Sequence, residues 1–553
     1  MKRILSYTFK GILGVGLLLG SASALYAQNE RDAQNLTERT LNGTARSMSM
    51  GGAVGALGAD PSAIRINPAG VNFYTSHAMH GTFGLGWLNT STEWGMNTKT
   101  GISASHRLGA LNNFTIVLPS RRIGSGVNLS FSYNRDKEFG RAYRMEADGM
   151  PVSIADYAAR MAYRIPPAAI QHTKTNNPYN SGYEWLPVFA ENAGLIEHLE
   201  GTERYRSTFV YNNYSSAPDH STLKVEERGA NRSFDFSLGI SPGDYLHLGA
   251  MVTLHSVNYT KRTYYGEAFD SDGFYKANYP DYNGASSNDY LEIVNNLNTS
   301  GQGVSATFGA LISLGEFGRI GVSYLTPQFL TLKDEYIAEA RSFNWRYDKD
   351  KGPFSYNTPK DYYTQYYLVK PGVLTASALV YLGGYGILTY DFDYSNAGGT
   401  RLKFDNGTEN SNNVYIREYY GNVMSHRFGL ELKPTQQFSI RAGVAQYSNP
   451  IKDIDVLGED ESGLKEDVGT SGTMSDFILT KGKNSYYTLG IGYTFKGGIS
   501  LDLAYVNNTR SAKAYPFSSS SYKVGNDIYT FPSKGGDLKQ ASHQILIGFT
   551  YRY

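Results

Sequence analysis

The 553-residue chain carries 51 Lys and Arg against 50 Asp and Glu, a formal charge of +1, and no cysteine. So even a balance leaves no basic footprint for nucleic acid. The missing thiols exclude a disulfide framework, a thiolate metal site, a cysteine nucleophile and a lipidated N-terminal cysteine.

In chain order, residues 1–27 have the three parts of a secretory signal: Lys2 and Arg3, the apolar core Ile12 to Leu19, and small residues leading to cleavage after Ala27. That core is too short for a membrane anchor, which takes about 20 apolar residues, so removal of the signal is expected. No other apolar run is long enough for a spanning helix, and mean hydropathy is −0.38. The mature chain is therefore either soluble or a membrane protein built from strands. With 60 Gly, 45 Tyr and 14% aromatic residues, strands and turns are favoured over helices.

Residues 28–74 form a compact block of turn formers. Gly51, Gly52, Gly55 and Gly58 permit close backbone approach. Asp60-Pro61 and Asn67-Pro68 force extended geometry before each proline and set up turns. Gly52, Gly55 and Gly58 make no dinucleotide fingerprint, because no strand precedes them. The block is predicted to be a plug.

From Thr75 onward the sequence alternates. Val127, Leu129, Phe131 and Tyr133 interleave with Asn128, Ser130, Ser132 and Asn134; the closing HQILIGFTYRY puts Ile545, Ile547, Phe549, Tyr551 and Tyr553 on one face. Side chains alternate faces along a strand, so each strand has one greasy and one mostly polar side. A soluble sandwich alternates too, and the connections decide between them. Tight turns at 119–124, 241–244, 315–318, 383–386, 433–436 and 496–498 alternate with long polar stretches near 142–228, 263–300, 336–363, 398–413, 449–483 and 514–540. Short periplasmic turns and long extracellular loops mark outer-membrane barrels. The prediction is an all-β fold, a transmembrane antiparallel β-barrel of about 14 strands over residues 75–553, with residues 28–74 as an N-terminal hatch in the lumen and no second domain. Eight strands are filled by side chains and sixteen or more leave a channel, so an intermediate bore needs a plug.

Within 142–228, Ile154, Ala158, Met161 and Ile165 recur at helical spacing, as do Leu186, Phe189, Ala193, Ile196 and Leu199. Two readings stand. The helices pack on the barrel rim, or they form a groove for an apolar ligand, with Ile154, Ala158, Met161, Leu186, Phe189, Ile196 and Leu199 as its binding residues. Asp391 and Asp393 sit two apart on one face, the spacing of a carboxylate pair for acid–base catalysis. With Asp235, Arg427, Glu431, Arg441 and Asp502 also inward, a structural network in the lumen is the better account. His77 and His80 point to opposite faces of a strand and cannot grip one iron together. No catalytic residues, metal site or cofactor are expected, and the chain is not read as an enzyme.

The stretches ARSMSMGGAVGALGADPSAIRINPAG, DFSLGISPGDYLHLGAMVTLHSVNYT, RIGVSYLTPQF, TYDFDYSN, SHRFGLELKPTQQFSIRAGVAQYS and YYTLGIGYTFKGGISLDLAYV span the mature chain. In their order and spacing the chain resembles the FadL/OmpP1/TodX family of outer-membrane transporters for long-chain fatty acids and other hydrophobic compounds, in its Bacteroidetes-type branch. The resemblance implies a fourteen-stranded barrel whose hatch bears an Asn-Pro-Ala motif, here Asn67, Pro68 and Ala69, followed by Gly70. It further implies ligand capture between extracellular loops, a hatch rearrangement, and sideways release where the third strand, placed here at about 125–140, is kinked. The expected function is passive uptake of a hydrophobic small molecule, first a long-chain fatty acid, by a monomer among outer-membrane lipids. A docking barrel for secreted proteins and a hemin receptor are the alternatives.

Overall fold

The computed structural model describes residues 30–94, 102–120, 126–180, 183–211, 217–282, 288–359, 363–452, 477–517, 520–524, 527–531 and 533–553. The expected signal, residues 1–27, lies outside them. The sheet closes as a 14-stranded antiparallel barrel. Its strands are β1 (Ala78–Glu93), β2 (Ile102–Leu118), β3 (Asn128–Glu138, continued by Arg141–Asp148), β4 (His220–Ile240), β5 (Leu246–Asp270), β6 (Asn288–Ser313) and β7 (Gly318–Leu325, continued by Gln328–Phe343). They continue as β8 (Tyr363–Lys370 with Val373–Tyr381), β9 (Gly386–Asn396 with Arg401–Phe404), β10 (Asn422–Leu432), β11 (Phe438–Tyr447), β12 (Phe477–Thr494), β13 (Ile499–Tyr515) and β14 (Gly536–Arg552). Each pairs with its neighbours in sequence, and the β1–β14 ladder, Ala78↔Arg552 to Glu93↔Asp537, shuts the cylinder.

Around the turn end, the outer face is a continuous apolar belt that includes Phe83, Phe236, Phe308, Val322, Leu489 and Ile547, all exposed. Soluble proteins rarely expose apolar patches beyond a few hundred Å². A bilayer covers such a belt, and closure leaves no unpaired backbone edge in hydrocarbon, where each orphan group costs several kcal/mol. Nearer the long connections the pattern inverts. On β4, Leu223 and Val225 are buried inside while Lys224 and Arg228 are exposed outside; on β6, Leu291 and Ile293 face in around Glu292; on β7, Ala338 and Ala340 face in around Glu339.

The strands therefore run on above the membrane, farther than their alternation predicts. The connection read as 142–228 spans 149–219, and that read as 263–300 spans 271–287. The inverted upper faces enclose a large apolar cluster to which residues 149–219 contribute helices at Ile154–Met161 and Trp185–Asn192. Ser153 and Asp156 form a capping box on the first helix. Its end is fixed to β5, because Ile154 N donates to Glu267 at 2.9 Å and Ser153 Oγ donates to the same carboxylate. The second predicted helix is shorter than its spacing suggests. Gly194, at φ +66°, ends it, and Ile196 lies on a short strand, Ile196–His198, that pairs with Tyr205–Ser207.

Candidate functional site

The N-terminal segment, residues 30–74, lies inside the cylinder, and its local signals explain its shape. Thr44 caps Ala45–Ser49 by accepting from Ser47 N. Asp60 caps Pro61–Ile66 by accepting from Ser62 N at 2.9 Å, with Pro61 at the first helical position. Thr44 Oγ1 donates to Asp60 at 3.1 Å, so the two caps lock to each other. Asn67 accepts from Ala69 N at 3.1 Å, starting the 3-10 turn Pro68–Phe73, and its amide donates to two wall carbonyls, Ala310 on β6 (3.0 Å) and Val322 on β7 (3.3 Å). The Asn-Pro-Ala-Gly stretch is thus one point where the plug grips the wall.

The wall receives it on glycines. Gly239, Gly249 and Gly309 are cross-strand neighbours on β4, β5 and β6. A Cβ on Gly309 would stand 2.8 Å from Asn67 Cγ and 2.9 Å from Pro68 Cδ; one on Gly249 would stand 2.6 Å from Pro68 O. On the opposite side Gly429 and Gly443 pair across β10 and β11, and a Cβ on Gly429 would lie 2.6 Å from Met50 O. These inward glycines form a seat, shaped by the absence of side chains.

Ion pairs tie the segment to the wall between these seats. Arg427 bridges Asp391 and Asp393, Asp393 also takes Arg39 at 3.0 Å, and Asp391 accepts from Val54 N and Gly55 N, each at 3.0 Å. Both carboxylates are engaged by wall and plug groups, as members of a structural network. Glu431 is shared by Arg46 (2.9 Å) and Arg441 (2.6 Å), and Arg441 reaches Asp502 at 2.6 Å; Arg65 meets Asp136 at 2.5 Å. The lumen network expected from sequence exists, but its completing partners, Arg39, Arg46 and Arg65, come from the plug. Glu38 joins Lys137 of β3 and Arg510 of β13, each at 2.9 Å. Burial raises the Glu38 carboxyl, but Lys137 and Arg510 outweigh it and hold it at about 2. This tie is present above the ordinary glutamate range and is lost only as pH falls toward 2.

Above the plug lies a cavity of about 190 Å³, bounded by Glu38, Arg39, Lys370, Tyr420, Tyr447 and Ile451 among others. An apolar cavity of ~150 Å³ holds one benzene ring, so this space admits a ring or a folded segment of chain. The Lys370 ammonium is its distinctive feature, because Lys370 has no ion pair or hydrogen bond among the described residues.

The wall itself is incomplete beside the cavity. β1 and β2 pair up to Thr92↔Ile102, yet β2 and β3 pair only between Asn113↔Asn134 and Leu118↔Leu129. Above Asn134 the β3–β4 register shifts between Arg135 and Lys137, and β3 is interrupted at Phe139-Gly140. A depression of about 150 Å³ runs there from Asn35 and Glu38 inside to Leu85, Gly109 and Ala110 in the wall, flanked by Phe139 and Gly140. Asn42 of the plug stands in the gap. It donates to Arg135 O and accepts from Asn112 Nδ2 at 3.2 Å, bridging the two parted strands. Thr40 Oγ1 reaches Asp136 O at 3.4 Å, so the plug satisfies carbonyls that the broken ladder frees.

Of the residues predicted to bind ligand, Ile154, Ala158, Leu186, Phe189 and Ile196 are buried together in the upper cluster and Met161 is half-buried against it, whereas Leu199 is half-buried and does not join it. None of them lines the lumen cavity. The cavity, the glycine seats and the Asn42 bridge were not read from sequence, because each is a relation between strands far apart in the chain. His80 is inward, with one ring nitrogen 2.9 Å from Tyr74 OH and the other 2.9 Å from Thr550 Oγ1, so both are engaged; His77 packs at a tilt against Tyr553.

No protein-family model matches the chain, and no curated protein matches it. Among solved structures it is similar to a Pseudomonas aeruginosa FadL homologue, at 14% identity and TM-score 0.47 over 93% of this chain and 99% of that one. It is also similar to the Ralstonia pickettii toluene transporter TbuX, at 12% identity and TM-score 0.42 over 93% and 98%. A third is the Pseudomonas putida toluene transporter TodX, at 10% identity and TM-score 0.44 over 93% and 99%.

Proposed function

We propose that this chain is an outer-membrane conduit of the FadL/TodX kind, which takes up hydrophobic small molecules passively and has long-chain fatty acids as its cargo. The observation that carries the reading is continuity. The lumen cavity and the wall gap share Asn35, Glu38, Arg141 and Arg510, so the route out of the cavity leads sideways into the membrane. Each methylene moved from an apolar surrounding into water costs about 0.8 kcal/mol. Sideways release spares an apolar cargo that cost, whereas a polar solute gains nothing from it. Asn42 bars the gap until the hatch shifts.

The fatty-acid assignment is supported by Lys370, an unpaired cation in a cavity that also presents Tyr420, Tyr447 and Ile451. A charge-assisted bond to a carboxylate contributes about 1.5–3 kcal/mol, so Lys370→Gln is expected to weaken binding of a fluorescent fatty acid to the purified barrel by about tenfold or more. Binding of a neutral aromatic hydrocarbon should not change. Equal losses for both ligands would refute the carboxylate role.

Capture is assigned to the loop residues Ile154, Ala158, Met161, Leu186, Phe189, Ile196 and Leu199, whose cluster would part to admit an acyl chain. Met161→Asp is expected to weaken fatty-acid binding by about tenfold, since a half-buried methionine is replaced by a charge. Unchanged binding would remove this loop from the capture site. The function itself is tested in a deletion strain, by growth on exogenous long-chain fatty acid together with the profile of secreted proteins. Loss of growth with an intact secretion profile supports uptake, and the reverse supports a docking barrel.

A further inference from the structure

On the outer wall, the β1, β14, β13 and β12 faces line up in register. Trp87, His543, Asn507 and Tyr487 form one row across the four strands. Trp87 stacks on His543 with ring centroids 5.6 Å apart, and Tyr505 OH lies 2.7 Å from His543 Nδ1. Aromatic rings with polar tips mark the level where hydrocarbon gives way to headgroups. One row farther from the turn end are Asn89, Ala541, Thr509 and Ser485, and above these Ser91, Lys539 and Ser511. Short side chains here leave a depression of about 740 Å³, with Lys539 and Lys483 on its border. Both lysines are exposed, and neither has an ion pair among the described residues.

The geometry points to a lipid site on this face, which holds the phosphate-bearing headgroup of an outer-leaflet lipid while its acyl chains lie along the apolar belt below. The occupant follows from position and charge. The depression opens outward directly above the girdle, so what reaches it is a membrane lipid. Two unpaired ammonium groups and the hydroxyls of Ser91, Ser485, Thr509 and Ser511 complement phosphate oxygens, which only accept hydrogen bonds. Arg510 and Gln540 border both this depression and the wall gap, but the two lysines and the hydroxyls face outward on β1, β12, β13 and β14, whereas the gap opens between β2 and β3, so the site does not depend on the nature of the cargo.

The test uses the purified full chain in mild detergent and counts lipids retained in native mass spectrometry. Dioleoyl phosphatidate is the probe, and dioleoylglycerol, which lacks the phosphate, is the comparison. Phosphatidate is expected to be retained over dioleoylglycerol, and Lys483→Gln/Lys539→Gln to lower its retention by about tenfold, given the attraction each lysine near a membrane surface supplies. Lys224→Gln, on the outer face of β4, should retain it like the parent. Equal retention by the double variant and the parent would overturn the site, as would an equal loss in Lys224→Gln. Displacement by millimolar inorganic phosphate would assign the lysines to a free anion and overturn the lipid. Because glutamine removes charge without reversing it, the heat-dependent gel shift of a folded barrel is expected to persist in both variants.

Discussion

Gly309→Val is expected to make the barrel leak. The valine Cβ would stand 2.8 Å from Asn67 Cγ and 2.9 Å from Pro68 Cδ, and neither neighbour has room to yield. Asn67 is packed against the wall and already spends both hydrogens of its amide on Ala310 O and Val322 O. Pro68 has a fixed φ and begins the 3-10 turn. The motif must therefore lift off β6, which breaks the two wall bonds, and each buried group left unsatisfied costs about 1–3 kcal/mol. Once this grip fails the intermediate bore is open. Reconstituted Gly309→Val is expected to pass small sugars in a liposome-swelling assay at least about tenfold faster than the parent. Gly81→Ala is the control, because a Cβ there meets nothing within 4 Å, and it should stay tight. Parent-like swelling in Gly309→Val would mean that the N-terminal segment is not the seal.

The part of the fold in contact with lipid was legible because one solvent boundary sets its pattern. Apolar residues face lipid and small polar residues face inward, so Val127 to Asn134 and Ile545 to Tyr553 announce strands without help. Higher up, the boundary reverses. The same period of two then carries Lys224 and Arg228 outside and Leu223 and Val225 inside, and the strand reads as the start of a loop. The first loop helix was legible through the spacing of Ile154, Ala158 and Met161, whereas the second overran a glycine whose left-handed backbone the apolar spacing does not encode. The resemblance pointed to a kink in the third strand, and Gly140 marks its interruption. What no single strand records is the ladder that β2 and β3 fail to make, or the plug side chain that stands between them. Arg39, Arg46 and Arg65 were invisible as partners for the same reason: Arg39 and Arg46 are hundreds of residues from the carboxylates they meet, and Arg65 is 71 residues from Asp136.

Locking the plug in place should have the opposite effect. Ala45 Cβ lies 3.0 Å from where a Cβ on Gly548 would stand, about half an ångström short of the ~3.5–4.5 Å range of disulfides, so a small outward shift of Ala45 suffices, and β14 is anchored on both sides. The chain has no cysteine of its own, so Ala45→Cys/Gly548→Cys allows a single disulfide within the chain. Asn42 is only three residues from Ala45, so the tether also holds the bridge across the β2–β3 gap. Oxidised, the double variant is expected to bind fluorescent fatty acid in the lumen but to lose uptake almost completely, and dithiothreitol should restore uptake. The two treatments differ in one covalent bond, so a folding defect cannot imitate the result. If the oxidised barrel carries cargo at the reduced rate, the plug does not move during passage. The sideways route past Asn42 would then be closed at the moment of transport, and cargo would have to leave the lumen by another path.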